Sequence, residues 1–242
     1  MKTKNMLFGV MLAASASLGF SACNSSPAVE DELIEKSASL ATITDFPELV
    51  AGEEAGILQM REEEKMAHDV YAVLGEINNL AIFDNIAAAE TNHYNAVGLL
   101  LSAYQLTDPS SGVAGTFTNS YIATLYDNLI ASGKTSTIEA LKVGALIEET
   151  DISDLEKLIA ATSNSALLQV YGNLLCGSRN HLRTFVSTLS TYQVTYTPTI
   201  LSIEDFSAII NSPMETLNGN GKENSGQGNR KNGKGTGICI NG

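Results

Sequence analysis

Six residues in this chain combine metal-ligand chemistry with helical spacing: Glu64, Glu90, His93, Glu148, Asp151 and His181. Carboxylate oxygens and imidazole nitrogens are donors suited to divalent first-row metals. Glu90 and His93 are three residues apart, as are Glu148 and Asp151, so each pair projects from one face of a helix. All six fall among apolar residues three or four positions away, which places them on faces that a folded chain buries. A buried charge without a partner costs several kcal/mol. A carboxylate tolerates such a place when it is protonated, ion-paired or bound to a metal. Residues 24–221 hold 8 Lys and Arg against 26 Asp and Glu, so basic side chains are too scarce to pair with four buried acids. Two divalent ions would neutralise them. Helical proteins that carry such ions use four carboxylates and two histidines, one Glu from each of two helices and Glu-x-x-His from each of the other two. This chain has the same inventory, distributed differently.

Neighbouring polar residues have more ordinary readings. Glu62 and Glu63 read as a solvated acidic face beside Glu64. Glu149 competes with Glu148, which is favoured because Gly144 and Leu155 share its face. His68, one turn after Glu64, is open as a ligand or as a hydrogen-bonding partner of one. Tyr71 reads as a core residue bonding a carboxylate. Glycines at 98, 144, 172 and 177 each cost up to about 1 kcal/mol in a helix, a cost that close helix approach would offset.

The elements that must hold these residues read as all-α. A first helix runs from about Glu53 to Leu74, with Gly75 and the Asn78-Asn79 pair ending it. A second runs from about Ala81 to Tyr104, stopped by Asp108-Pro109 and the Ser110 to Gly112 run. About 25 residues follow, with a shorter helical pattern through Tyr121, Leu125 and Leu129, and read as a crossover. Ser136 and Glu139 form a capping-box pattern for a third helix reaching about Ala161, with a second box at Ser153 that would allow a break near Ile152. The fourth helix starts after Thr162-Ser163-Asn164 and ends near Tyr192. The expected fold is an antiparallel four-helix bundle over 48–192 with a long crossover between helices two and three. A packed extension over 193–217 carries a small extra helix, from Ile203 to Ile210.

The two ends read differently from the body. Lys2 and Lys4 precede an apolar run from Met6 to Phe20, followed by Ser21, Ala22 and Cys23. That run is shorter than the ~20 apolar residues of a bilayer span and has the layout of a secretory signal over 1–22. A cysteine directly after the small residues resembles the bacterial lipoprotein signal, which implies lipidation of Cys23, export, and anchoring to a periplasmic or cell-surface membrane face. Residues 23–47 read as a polar tether. Residues 218–242 are mostly Gly, Asn, Lys and Ser and read as a flexible tail. Cys176 and Cys239 are far apart and make no disulfide framework. The tail carries a net charge of +3 and the 24–221 body −18, which argues against nucleic acid as a partner. A homodimer is left open.

The runs MREEEKMAHDVY (60–71), ETNH (90–93), LIEETDISDL (146–155) and GSRNHLR (177–183) resemble the ferritin-like superfamily, over about residues 48–192. Glu64 precedes Tyr71 by seven residues, the offset ferritins use between a first-helix ligand and a core tyrosine. The resemblance implies two iron or manganese ions and oxidation of ferrous iron or reduction of peroxide. It implies that Glu90 bridges the ions, that Glu64 and Glu148 are terminal ligands, and that His93 and His181 take one ion each, with Asp151 completing the shell. Two departures stand out. Ser178 occupies the place of a carboxylate three residues before His181, and Asp151 is shorter than the usual Glu. No cysteine-rich rubredoxin module is present. The rival reading is a metal-free helical binding or scaffolding lipoprotein. A storage shell fits a lipid anchor and a flexible tail poorly.

Overall fold

The computed structural model describes residues 46–216. They form six helices, and no strand occurs among them. These are α1 (Glu53–Asn78), α2 (Ala81–Ala103), α3 (Ser120–Gly133), α4 (Thr137–Ala161), α5 (Ser165–Thr191) and α6 (Ile203–Ile210). The expected signal, most of the expected tether, Cys23 and the expected tail lie outside the described residues.

Local chemistry sets the helix ends. Glu53 and Glu54 place negative charge in the first turn of α1, where the helix dipole favours it. At its other end α1 runs four residues beyond the expected stop at Leu74. Gly75 does not end it, because that turn packs against Phe83 and Asp84 of α2. The stop is Asn79, left-handed at φ 50°, whose N–H bonds the Gly75 carbonyl. Only Asn79 and Leu80 separate α1 from α2, so the two helices turn back on one another. The Ser136 hydroxyl caps α4 by accepting from the Glu139 N–H at 3.2 Å. The second box does not break this helix: α4 is continuous to Ala161, with Asp154 paired to Lys157 instead. The Asn164 side chain accepts from Ala166 and Leu167 N–H groups to start α5.

α1 packs along α2 and α4 along α5, with further contacts from α1 to α4 and from α2 to α5. α3 lies against α1 and α4, and α6 against α5. The stripes meet in one core that includes Ile57, Met60, Tyr71, Leu100, Leu141, Leu155 and Phe185. Gly144 admits Phe185 so closely that a Cβ there would stand 2.3 Å from the ring, the close approach expected of a helical glycine. Cys176, for which the sequence offered no pairing, is disulfide-bonded. Among the described residues no helix is long and apolar enough to cross a membrane.

Candidate metal centre

Glu64 on α1, Glu90 and His93 on α2, Glu148 and Asp151 on α4 and His181 on α5 all point inward. The four carboxylates are 0–1% exposed, and the two imidazoles, with side chains 12% exposed, form the outer wall. Glu90 stands at the middle. One of its oxygens is 2.7 Å from His93 Nδ1 and the other 2.8 Å from His181 Nδ1. Glu64 approaches His93 Nδ1 at 3.3 Å and Glu148 approaches His181 Nδ1 at 3.5 Å. The rings stack at 5.5 Å between centroids with 29° between planes. Two groups able to hold an ion result, Glu64–Glu90–His93 and Glu90–Glu148–His181, with Glu90 common to both. Asp151 is buried beside them but belongs to neither group.

The orientation of these donors is more telling than their number. Twelve buried side-chain N and O atoms lack a hydrogen-bond partner among the described residues, and nine of them belong to these six side chains. Buried polar atoms are nearly always partnered, so such a concentration calls for an explanation. His93 Nδ1 and His181 Nδ1 lie within reach of carboxylate oxygens yet are not aligned to bond them. The donors of each group lie close together without satisfying one another by ordinary hydrogen bonds. Neighbouring ligands of an octahedral ion with bonds of about 2.1 Å stand about 3.0 Å apart, and the observed separations of 2.7–3.5 Å bracket that value. Among the described residues, every ion pair these carboxylates make is with His93 or His181.

Without an ion the site balances its charge with protons. Burial pushes the Glu64 carboxyl up to about 7, with His93 pulling the other way. Burial also raises Glu148, and it raises Asp151 well above the usual range, reinforced by Glu64 and Glu148. Glu90 moves down: burial works against its charge, but His181 and His93 more than offset it. Burial opposes charge on both imidazoles too, yet Glu90 and its neighbours raise His93 to about 9 and His181 well above 6.5. Tyr71 donates to Glu148 Oε1 at 2.6 Å, the core role expected of it, and its ring packs at a tilt against Phe83 and Phe185.

The family model described as "Uncharacterized protein domain (DUF2202)" matches residues 53–213, a span that contains all six side chains. The chain belongs to the DUF2202 family. Within it, "Uncharacterized protein MJ0754" of Methanocaldococcus jannaschii is 45% identical over 179 residues, which is 73% of this chain and 97% of that protein. The crystal structure of hypothetical protein MJ0754 from Methanococcus jannaschii DSM 2661 superposes with a TM-score of 0.69 at 44% identity, covering 71% of this chain and all of that one.

Other acids of this DUF2202 domain go elsewhere. Glu62 and Glu63 are buried, not solvated. Glu62 accepts from Thr118 N at 2.5 Å and Asn119 N at 2.9 Å, tying α1 to the start of α3. Glu63 accepts from Gln59 at 2.7 Å, and burial lifts its carboxyl to about 8. The crossover covers α1 at Glu62, and Glu63 has Asp154 and Lys157 of α4 nearby, which helical period alone does not reveal. Glu149 is as buried as Glu148 but faces the other way, holding the extension through Tyr196, Thr199, Ile200 and Leu201. His68 is turned to Asp69 at 3.0 Å with its side chain 39% exposed, away from the centre. Ser178 is buried, its hydroxyl donating to its own helix at Leu174 O. The sequence did not single out Gly177 as part of the site. A Cβ there would stand 2.4 Å from His93 Nε2, so the glycine makes room for the ring.

Proposed function

We propose that this protein is a ferritin-like four-helix protein that binds two iron or manganese ions at this centre, exported and held on a membrane through lipidated Cys23. The observation that carries the reading is the cluster of nine unpartnered donor atoms on six buried side chains, divided around Glu90. The two helical pairs joined by a long crossover agree with a ferritin-like bundle. Glu90 would bridge, Glu64 with His93 would hold one ion, and Glu148 with His181 the other. Ions held there supply redox chemistry, and oxidation of ferrous iron or reduction of peroxide is the reaction class proposed.

The chain's own residues do the positioning. Apolar side chains on every helix exclude bulk water from the carboxylates. Tyr71 orients Glu148 through its hydroxyl, and Gly177 lets His93 sit with Nδ1 turned inward. In the ion-free site burial favours protons on Asp151 and Glu148, and the neighbouring carboxylates favour them on both histidines; protons leave as cations enter.

Metal analysis of the full-length protein and calorimetric titration with ferrous and manganous ions test the reading. Two ions per chain, proton release and a rise in Tm are expected, and Glu90→Ala abolishes all three because both positions share that residue. Equal binding by wild type and Glu90→Ala would overturn the dinuclear centre and favour a metal-free scaffold. The anchor has its own test. Cys23→Ala should release the protein from membranes and end labelling with fatty acid, and unchanged sedimentation with membranes would refute it.

A further inference from the structure

Cys176 of α5 is 2% exposed and disulfide-bonded. It is the one cysteine among the described residues, and the chain has two others, Cys23 and Cys239. Two observations choose between them.

The first is the course of the chain behind α6. Arg183 donates from Nε to the Ile209 carbonyl at 2.9 Å and from Nη2 to the Ser212 hydroxyl at 2.6 Å. One turn earlier on α5, Arg179 Nε holds the Glu215 carboxylate at 2.8 Å. Asn180 exchanges bonds with the Glu215 backbone, donating to its carbonyl at 3.0 Å and accepting from its N–H at 2.8 Å. Arg179, Asn180 and Arg183 follow Cys176 by three, four and seven residues, so all four share one face of α5. From Ile209 to Glu215 the chain therefore runs backwards along that face, toward Cys176. Glu215 is fixed at the level of Asn180, about 6 Å along the axis from Cys176. Cys239 follows Glu215 by 24 residues, enough chain to turn back onto the same face. The other end of the described chain lies farther off. Phe46 packs edge-on against Tyr104 at 5.6 Å, and the Tyr104 hydroxyl accepts from Asn164, the residue that caps the start of α5. Cys176 is 12 residues beyond that cap, about 18 Å along the helix.

The second observation is chemical. A lipidated Cys23 carries its lipid on sulfur, has no thiol left and forms no disulfide.

Independently of the metal centre, and resting in part on the lipid anchor above, we propose that Cys176 is bonded to Cys239. The bond closes residues 216–238 into a loop with both ends fixed to one face of α5, by the Glu215 clasp and by sulfur. It forms by thiol–disulfide exchange. The two thiols lose two protons and pass two electrons to the disulfide of an oxidoreductase outside the cytoplasm, which leaves as a dithiol. An oxidising compartment then preserves the bond.

Peptide mapping tests the pairing. Full-length wild type, Cys23→Ala and Cys239→Ser are purified with free thiols alkylated at lysis, digested without reductant and analysed by mass spectrometry, with Tm measured alongside. Wild type and Cys23→Ala should both yield a peptide pair joined through Cys176 and Cys239. A cross-link closing about 60 residues raises Tm by roughly 8–16 °C in a domain of this size. Cys239→Ser should lose about that much, a phosphine reductant should lower wild type equally, and the reductant should leave Cys239→Ser unchanged. Alkylated Cys176 and Cys239 in wild type, a disulfide joining two copies, or a Cys239→Ser variant that melts with wild type would each overturn the proposal. A Cys176–Cys23 peptide would overturn it together with the lipid anchor. The Cys176–Cys239 pair beside an unmodified Cys23 would uphold the bond and refute the anchor alone.

Discussion

Glu148 and Glu149 are adjacent in sequence, equally buried, and assigned opposite tasks, so exchanging each in turn tests the architecture directly. The Glu149 carboxylate accepts from Tyr196 Oη at 2.6 Å, Thr199 N at 3.0 Å, Ile200 N at 2.9 Å and Leu201 N at 2.9 Å. Glu149→Ala removes one acceptor shared by four donors, three of them backbone N–H groups of a segment with no helix or strand of its own. Leaving a buried donor unsatisfied costs about 1–3 kcal/mol, and rehydration of this half-buried segment recovers part of it. A loss of about 3 kcal/mol for the four together is a reasonable magnitude. For a domain of this size each kcal/mol moves Tm by about 2–4 °C, which places the fall at roughly 6–12 °C. Metal affinity should stay close to wild type. Glu148→Gln should do the reverse, removing a burdened buried acid at little cost to Tm and losing the ion beside His181. Differential scanning calorimetry of both ion-free variants, followed by metal titration, separates the two. A Glu149→Ala variant that melts with wild type but fails to bind metal would refute the assignment.

Two further outcomes follow from the other buried acids. Glu62→Ala should lower Tm by several degrees, because Glu62 holds the Thr118 and Asn119 N–H groups at the start of α3, and the metal response should survive; a silent variant would return Glu62 to a solvated face. Burial pushes the Glu215 carboxyl up, but Arg179 and Arg183 at 2.5 and 2.7 Å more than offset it and hold the carboxyl below the usual range. A lowered folded-state pKa contributes stability above the unfolded value of about 4.3 and loses it as pH falls through the folded value. Glu215→Gln should therefore be less stable than wild type at pH 7, with the difference shrinking below about pH 4; a difference independent of pH between 7 and 2 would count against the pairing.

Much of this protein was legible from spacing alone. Apolar residues recurring every three or four positions located the helices, and of the six polar residues interrupting those stripes all are buried or nearly so and four gather around a fifth, Glu90, because a helix carries residues three apart to one face. Glu90 and His93 read together for that reason. Spacing also placed the start of α5, since Asn164 offers a side-chain oxygen that caps the helix. What spacing within one helix cannot register is what another helix covers. Glu62 and Glu149 lie off the central stripe, and the docking of the crossover and of the extension buries them. The end of α1 was likewise decided by packing, because contact with α2 outweighs the propensity of one glycine. Sequence determined which side chains share a face; only the packing of helix against helix decided which of them meet.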